Sequence, residues 1–135
     1  MEKTKETTYA YLSQRPGIQL IKAGSPEMIE LNDYLGIPSV KSQIIDIPIT
    51  HQLDALTTGR FAMQSSCDFE FEYAFLEIKV VVSGKIVVRD TEGNRYEGHV
   101  GDIFVFTPPF KVIFDGESDG VAVYAAHRSP EPAFM

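Results

Sequence analysis

The sequence has 135 residues, of which 44% are hydrophobic and 23% are charged, and it carries a formal net charge of −7. This length and composition predict one globular domain with a core of its own. An acidic chain without a lysine- or arginine-rich cluster repels phosphate backbones, and no stretch reaches the roughly 18 apolar residues that would span a bilayer. We therefore expect neither a nucleic-acid-binding protein nor a membrane protein.

The N-terminal residues predict a separate arm. Residues 1–16 are mostly polar and end at Arg15-Pro16, so the predicted organisation is a loose arm followed by a single domain over residues 17–135. The first six residues lack the apolar run of a signal peptide. Cys67 is the one cysteine and has no partner for an internal disulfide. Both features favour a cytoplasmic protein.

The next part of the chain predicts few regular elements. Ser25-Pro26-Glu27 is typical of a helix start, because serine caps helices and proline suits the first turn, and it predicts one short helix near residues 26–34. Gly36-Ile37-Pro38 ends that helix. A loop containing His51 and a turn at Thr57-Thr58-Gly59 is also predicted. The strands predicted here are residues 18–22 and 40–47, and the predicted loop is residues 48–59.

From residue 60 onward, short stretches rich in valine, isoleucine, phenylalanine and tyrosine alternate with turn residues, which predicts strands. Gly84 and Gly101 are suited to tight turns between such strands. The predicted strands are residues 60–65, 68–73, 75–82, 85–90, 95–99, 103–106, 112–114 and 121–126. Many short strands at this spacing indicate an all-β sandwich or barrel.

Two segments resemble the paired motifs of the cupin superfamily. In the first, E-I-K-V-V-V-S-G, Glu77 is followed by Gly84. In the second, G-D-I-F-V-F, residues 101–106 precede a proline pair. The resemblance implies a cupin-type double-stranded β-helix, or jelly-roll barrel, with one short N-terminal helix.

The histidines that a cupin uses to hold a metal are missing from both motifs. Such a site has two histidines just before the glutamate and one in the second motif, a set that suits a divalent first-row metal. Here the first stretch is E-F-E-Y-A, and the second position falls near Lys111 and Val112. His51, His99 and His127 lie elsewhere. We therefore expect no metal and no other cofactor, and a metal enzyme with unusual ligands stays open as an alternative.

A longer resemblance, over residues 56–127, is to the ethanolamine-utilisation Q-type cupins. It rests on the runs L-T-T-G-R-F-A-M, F-E-F-E-Y-A-F-L-E-I-K-V-V-V-S-G-K-I-V-V and G-D-I-F-V-F-T-P-P. That family also replaces the metal histidines and keeps the glutamate. Its members belong to operons that handle ethanolamine, often with a bacterial microcompartment, and an acetate-kinase-like activity has been proposed for them. The resemblance implies a small-molecule ligand and an association with such a compartment.

Alternation along a strand places an aromatic series, Glu77 and Lys79 on one face. If that face lines the barrel, Glu77 enters the interior and Lys79 is the nearest cation. The two residues are then either a catalytic acid/base pair or a structural ion pair. The candidate ligand-binding residues are Phe71, Tyr73, Arg60, Lys111 and Tyr124, with Arg60 suited to a carboxylate or phosphate group.

The sequence thus favours a metal-free cupin that binds or transforms a small polar metabolite. It contains neither a G-x-S-x-G nucleophile motif nor a G-x-x-x-x-G-K-[ST] phosphate loop. A non-catalytic interaction or regulatory module is the alternative. Because antiparallel sheets leave edges that must be covered, and the predicted N-terminal strand is a natural donor, we expect a homodimer.

Overall fold

The structure is a computed structural model that describes residues 11–50 and 55–135. The described part of the chain contains nine strands and one short α-helix. Their order is β1 (Ile29–Glu30), α1 (Asn32–Leu35), β2 (Ser42–Pro48), β3 (Thr57–Met63), β4 (Phe69–Tyr73), β5 (Glu77–Arg89), β6 (Arg95–His99), β7 (Ile103–Phe106), β8 (Phe110–Phe114) and β9 (Asp119–Ala126), followed by a 3₁₀ helix (Pro132–Phe134). Most of the predicted arm, and His51, lie outside the described residues.

The strands form one curled antiparallel sheet in the order β1-β2-β3-β9-β5-β8-β4, and β6 and β7 also pair with β5. The long strand β5 curls the sheet, because its first half pairs with β7 and its second half with β6, while β9 follows it across the bend. The result is the predicted β-barrel. None of the described residues belongs to a helix that is long and apolar enough to cross a membrane.

The bend in β5 occurs where the sequence predicted a turn between two strands. Residues 77–89 are instead one continuous strand whose register with β9 shifts between Val81 and Ser83. Gly84 has a φ of 61°, and a Cβ there would lie 2.0 Å from the carbonyl oxygen of Asp119. Gly84 therefore permits a bulge and a close approach between strands. Gly101, with a φ of 93°, does lie in the predicted turn between β6 and β7.

One short helix is present as predicted, but it lies later in the chain. Pro26 does not begin it, because Ile29 and Glu30 are paired with β2 as strand β1. The helix is a single turn over Asn32–Leu35 that ends at Gly36, which is left-handed with a φ of 69°. Strand pairing of residues 29–30 therefore took precedence over the local helix-start signal.

Two other predictions before residue 65 were wrong. Thr57, Thr58 and Gly59 begin strand β3 and do not form a turn, because they pair with β2 on one side and β9 on the other. Residues 18–22 do not form a strand and have no pairing partner among the described residues. In that segment the side chains of Ile18 and Leu20 are 99% and 79% exposed.

The barrel interior is apolar and rich in aromatic rings. Met63, Val81 and Ile86 are almost completely buried, and Phe61 and Phe114 pack with ring centres 5.2 Å apart. The side chains of Glu77 and Lys79 enter this interior from β5 and are 4% exposed. Two charged groups thus lie among apolar side chains of the core.

Candidate functional site

The site is a small cavity at one end of the barrel. Its free volume is about 40 Å³, and Glu77, Lys79, Tyr73 and Arg128 provide polar groups to its wall. Side chains of α1 and of the 3₁₀ helix close it, and Tyr34 contacts Phe134 edge-to-face with ring centres 4.8 Å apart. Because one water occupies about 30 Å³ of liquid, a cavity of this size holds only a very small molecule unless the closing segments move.

Glu77 contacts two of the other polar groups of the cavity, Tyr73 and Lys79. The Tyr73 hydroxyl donates to Glu77 Oε2 over 2.7 Å, and Lys79 Nζ lies 3.1 Å from the same oxygen. No donor from the described residues reaches Glu77 Oε1. The second carboxylate oxygen thus remains able to accept a hydrogen bond from a molecule in the cavity.

Aromatic rings surround the ammonium group of Lys79. Nζ lies 4.3 Å from the ring centre of Phe61, 4.8 Å from that of Tyr124 and 5.6 Å from that of Phe114. Ring faces attract a cation at such distances, and more strongly where water is excluded. The ammonium group is therefore held by one carboxylate and three aromatic faces.

Tyr73 is fixed by its own aromatic neighbours. Its ring stacks on Phe106 and Phe110, with centres 4.8 Å and 5.4 Å away, and it meets Phe71 edge-on at 4.8 Å. This packing explains why the phenol has one fixed direction. The hydroxyl points at Glu77 and holds that carboxylate in place.

A second ion pair lies next to the cavity and was not predicted from the sequence. Asp46 in β2 is fully buried and pairs with Arg128, whose Nη2 lies 2.9 Å from Asp46 Oδ1 and whose Nη1 contacts Oδ2. The Tyr124 hydroxyl also donates to Asp46. One signal was available, since Asp46 stands in the apolar run I-I-D-I of a strand, where an unpaired acid would be costly.

Burial sets the protonation behaviour of these groups. It lowers the pKa of Lys79, against the opposing effect of Glu77. It raises the pKa of Tyr73 well above its usual value, and Glu77 adds to that rise. Burial and Asp46 likewise raise the pKa of Tyr124. Both phenols therefore remain protonated donors at neutral pH.

The structure brings together five of the predicted site residues and separates two. Glu77, Lys79, Tyr73 and Phe71 line the cavity, and Tyr124 contacts Lys79 from behind. The other two predicted residues, Arg60 and Lys111, lie on the outside of the barrel and do not line this cavity. Arg60 follows the inward-facing Gly59 on β3 and donates to the carbonyl of Lys22 over 2.9 Å.

Lys111 was placed in the ligand site by its position near the second motif. Its side chain is 43% exposed and lies 3.5 Å from Glu70, on the outer surface of the paired strands β4 and β8. Strand alternation explains the result, since Val112, the next residue, is the one that points inward and is buried. Lys111 and Glu70 form a surface ion pair.

The residues around Glu77 do not fit a metal ion. In residues 11–50 and 55–135 there is no group of three or more His, Cys, Asp or Glu side chains that could hold one. The Lys79 ammonium and the Tyr73 hydroxyl occupy the positions beside the carboxylate, and Arg128 adds a second cation to the cavity wall. His99 lies on the surface next to Glu97.

Comparisons with known proteins address the fold. No protein-family model matches the sequence, and no curated protein matches it. Among solved structures, the EutQ protein of Clostridium difficile has a TM-score of 0.62 at 18% identity, over 74% of this chain and 70% of that one. An RmlC-like cupin from Shewanella frigidimarina has a TM-score of 0.53 at 14% identity, over 69% and 84%. The chain has a cupin fold.

A second ethanolamine utilization protein, the putative EutQ of Salmonella typhimurium, matches this chain with a TM-score of 0.55 at 18% identity, over 65% of this chain and 70% of that one. The predicted likeness to cupins, and to EutQ proteins among them, is thereby confirmed. At these identities the likeness concerns the fold. A shared fold does not establish a shared ligand or reaction.

Proposed function

We propose that this cupin binds a small, neutral, polar metabolite in the cavity between Glu77 and Lys79, without a metal. The observation that carries the proposal is the open Oε1 atom of Glu77. An inward carboxylate with an unused oxygen, beside an ammonium group with one polar partner, presents both an acceptor and a donor to a ligand. Such convergent polar groups in an apolar cavity are typical of ligand sites.

The charge balance of the site favours a neutral ligand. Glu77 and Asp46 supply two negative charges, and Lys79 and Arg128 supply two positive ones, so the buried cluster is neutral. A charged ligand would bring an uncompensated charge into a dry cavity, which costs several kcal/mol. A hydroxyl compound donates to Glu77 and accepts from Lys79, and a carbonyl compound accepts from Lys79, without that cost.

The cavity volume limits the size of the ligand. About 40 Å³ accommodates a molecule of only a few heavy atoms. Larger ligands require α1 and the 3₁₀ helix to move apart at the contact between Tyr34 and Phe134. The proposal therefore concerns small metabolites first.

Thermal-shift and NMR titrations with small alcohols, aldehydes, amides, carboxylates and amines test the proposal. A ligand that binds only the folded state at 100 times its Kd stabilises the fold by about 2.7 kcal/mol. We expect neutral compounds to stabilise the wild type, and Glu77→Gln and Lys79→Met to lose the response. The matched controls are Glu70→Gln and Lys111→Met, which alter a surface pair of the same chemical type. A response that survives both cavity variants would contradict the proposal.

One feature of the outside of the sheet supports the alternative function, that of an interaction module. Ile103 and Val105 of β7 are 61% and 63% exposed, and they lie beside Val80 and Ile78 of β5 in the same register. We define these four residues as the outer face. Apolar side chains concentrated in this way mark a contact surface. If no small molecule stabilises the fold, binding through this face becomes the favoured function.

We propose that a second copy of the chain covers the outer face. The four residues are uncharged, so two chains that each carry a net charge of −7 can meet there without bringing like charges together. A two-fold axis uses the same patch on both copies and doubles the apolar area. The unpaired, exposed segment that contains Ile18 and Leu20 supplies a further apolar surface for the partner copy.

Sedimentation analysis of the wild type and of Ile103→Lys/Val105→Glu tests the homodimer. We expect a dimer for the wild type and a monomer for the variant, because charges in an apolar contact are not solvated. Glu70→Lys is the control, since Glu70 is 61% exposed on β4 and lies outside this face. A monomeric wild type, or a dimeric double variant, would overturn this assignment.

We also propose that the protein is cytoplasmic and associates with a microcompartment. A single, half-buried cysteine is compatible with a reducing cytoplasm. The likeness to EutQ proteins is the support for an association with a microcompartment. Cell fractionation with an antibody against the chain tests both statements, and recovery in the periplasm or outside the cell would contradict them.

A further inference from the structure

Lys79 is an amine in surroundings that favour loss of its proton. Its side chain is 4% exposed, it has a single polar contact, and the centres of three aromatic rings lie within 5.6 Å of Nζ. Burial lowers the pKa of Lys79, although Glu77 opposes the effect. A desolvated lysine of this kind has more of the neutral, nucleophilic amine than a surface lysine has.

Glu77 is in position to take that proton. Transfer across the 3.1 Å contact converts a buried ion pair into a neutral amine and a neutral carboxylic acid. The low polarity of the cavity favours the neutral pair more than water does. Tyr73 donates to the same oxygen and fixes the carboxyl group, so the direction of the transfer is set by the fold.

We infer that Lys79 forms an imine with a small aldehyde or ketone, with Glu77 transferring the protons and Tyr73 as a positioning residue. The inference rests on the proposed function, because it uses the same cavity and names the class of ligand. A carbonyl compound is neutral and compact, as the charge balance and the volume of about 40 Å³ require. Its oxygen accepts hydrogen bonds from the groups that line the cavity.

The atoms and protons of this step balance within the site. The neutral amine attacks the carbonyl carbon and forms the C–N bond, while Glu77 gives its proton to the carbonyl oxygen and takes one from nitrogen. Glu77 then protonates the resulting hydroxyl, the C–O bond breaks and water leaves. The products are a protonated imine on Lys79, the Glu77 carboxylate and one water, so neither an oxidant nor a reductant takes part.

Reductive trapping tests the inference directly on the full chain. The protein is incubated with propanal and sodium cyanoborohydride, which reduces an imine to a stable secondary amine, and labelled lysines are located by peptide mass spectrometry. We expect Lys79 to be labelled several-fold faster than the exposed Lys111, which serves as an internal reference in the same sample. This comparison does not depend on a variant that folds.

Three further measurements separate a reactive site from a merely buried lysine. Hexanal is expected to label Lys79 more slowly than propanal does, and Lys111 at a similar rate with both, because only the first site is enclosed. Glu77→Gln is expected to slow labelling of Lys79 by about a hundredfold through loss of proton transfer. Tyr73→Phe is expected to shift the pH profile of labelling, which a purely structural role would not do, and Glu70→Gln is expected to leave it unchanged.

The outcomes distinguish this inference from the proposed function. Labelling of Lys79 no faster than that of Lys111, while neutral alcohols or amides stabilise the fold, would overturn imine formation and leave the binding site intact. Fast labelling of Lys79 that Glu77→Gln does not slow would overturn the role of Glu77. Absence of both labelling and stabilisation would remove the inference together with the proposed function.

Discussion

Asp46 and Arg128 are 82 residues apart in the chain and form a two-point ion pair beside the cavity. The backbone N–H of Glu131 also donates to Asp46 Oδ2 over 2.8 Å, and the guanidinium lies 5.2 Å from the ring centre of Phe75. One buried carboxylate thus joins β2 to the C-terminal segment that closes the cavity. The same contact that stabilises the fold therefore also positions the cover of the site.

Removing the charge of Asp46 is the first prediction. Asp46→Asn leaves the largely buried guanidinium of Arg128 without its partner, and loss of one member of such a pair costs about 3–5 kcal/mol. Urea unfolding measures the free energy of unfolding. Glu70→Gln is the control, because it disrupts a solvent-exposed pair with Lys111 and is expected to cost less than about 1 kcal/mol. Equal losses in the two variants would contradict this account of Asp46.

Removing either Glu77 or Lys79 alone is expected to lower the free energy of unfolding strongly. Replacing both with apolar residues is expected to lower it less. Glu77→Leu or Lys79→Met alone leaves one buried charge unpaired, with a loss of about 3–5 kcal/mol each. The double variant removes both charges from an apolar barrel, so its loss is expected to be smaller than either single loss. A double-mutant cycle from chemical unfolding measures the coupling. Additive losses would show that the two side chains act independently.

The face of the barrel occupied by Glu77 and Lys79 was predictable from the sequence, because strand alternation has a fixed period of two. The partnership of Asp46 with Arg128 was not, since it depends on how β2 and the end of β9 come together in the closed barrel. Lys111 is a case in which the sequence suggested a cavity position that the structure does not show. Its position near a motif suggested the cavity, but a shift of one residue along a strand reverses the side-chain direction.

The two glycines that were misread show why turns were harder to predict than strands. Ser83-Gly84 has the local sequence of a turn, yet pairing with β9 continues through it as a bulge. Gly59 likewise stands in the middle of pairing between β2, β3 and β9. In both cases glycine is required by the close approach of a neighbouring strand or ring. That requirement exists only in the folded chain.

Gly59 leads to a prediction about the cavity wall. A Cβ at this position would lie 2.1 Å from the Ile45 carbonyl oxygen and 2.3 Å from the Tyr124 hydroxyl. Gly59→Ala is therefore expected to displace Tyr124 and to cost about 1–3 kcal/mol, as overpacked cores do. Thermal and urea unfolding measure the loss. Val100→Ala, at a 64% exposed turn position, is expected to remain within about 0.5 kcal/mol of the wild type. A Gly59→Ala variant as stable as the wild type would show that β3 and Tyr124 move apart freely.

The acid limb of the stability profile is expected to depend on Asp115. A hydrogen bond from the backbone N–H of Glu117, together with the Arg89 side chain, holds the pKa of Asp115 below its usual value. Because the pKa is lower in the folded state, this contribution is fully present above the unfolded value of about 4 and is lost as the pH falls through the folded pKa. Asp115→Asn is expected to flatten the decrease in the free energy of unfolding below about pH 4. Arg89→Gln, which keeps the backbone donor, is expected to flatten it less. Urea unfolding at a series of acidic pH values measures both slopes, and an unchanged slope in Asp115→Asn would assign the acid sensitivity to other carboxylates.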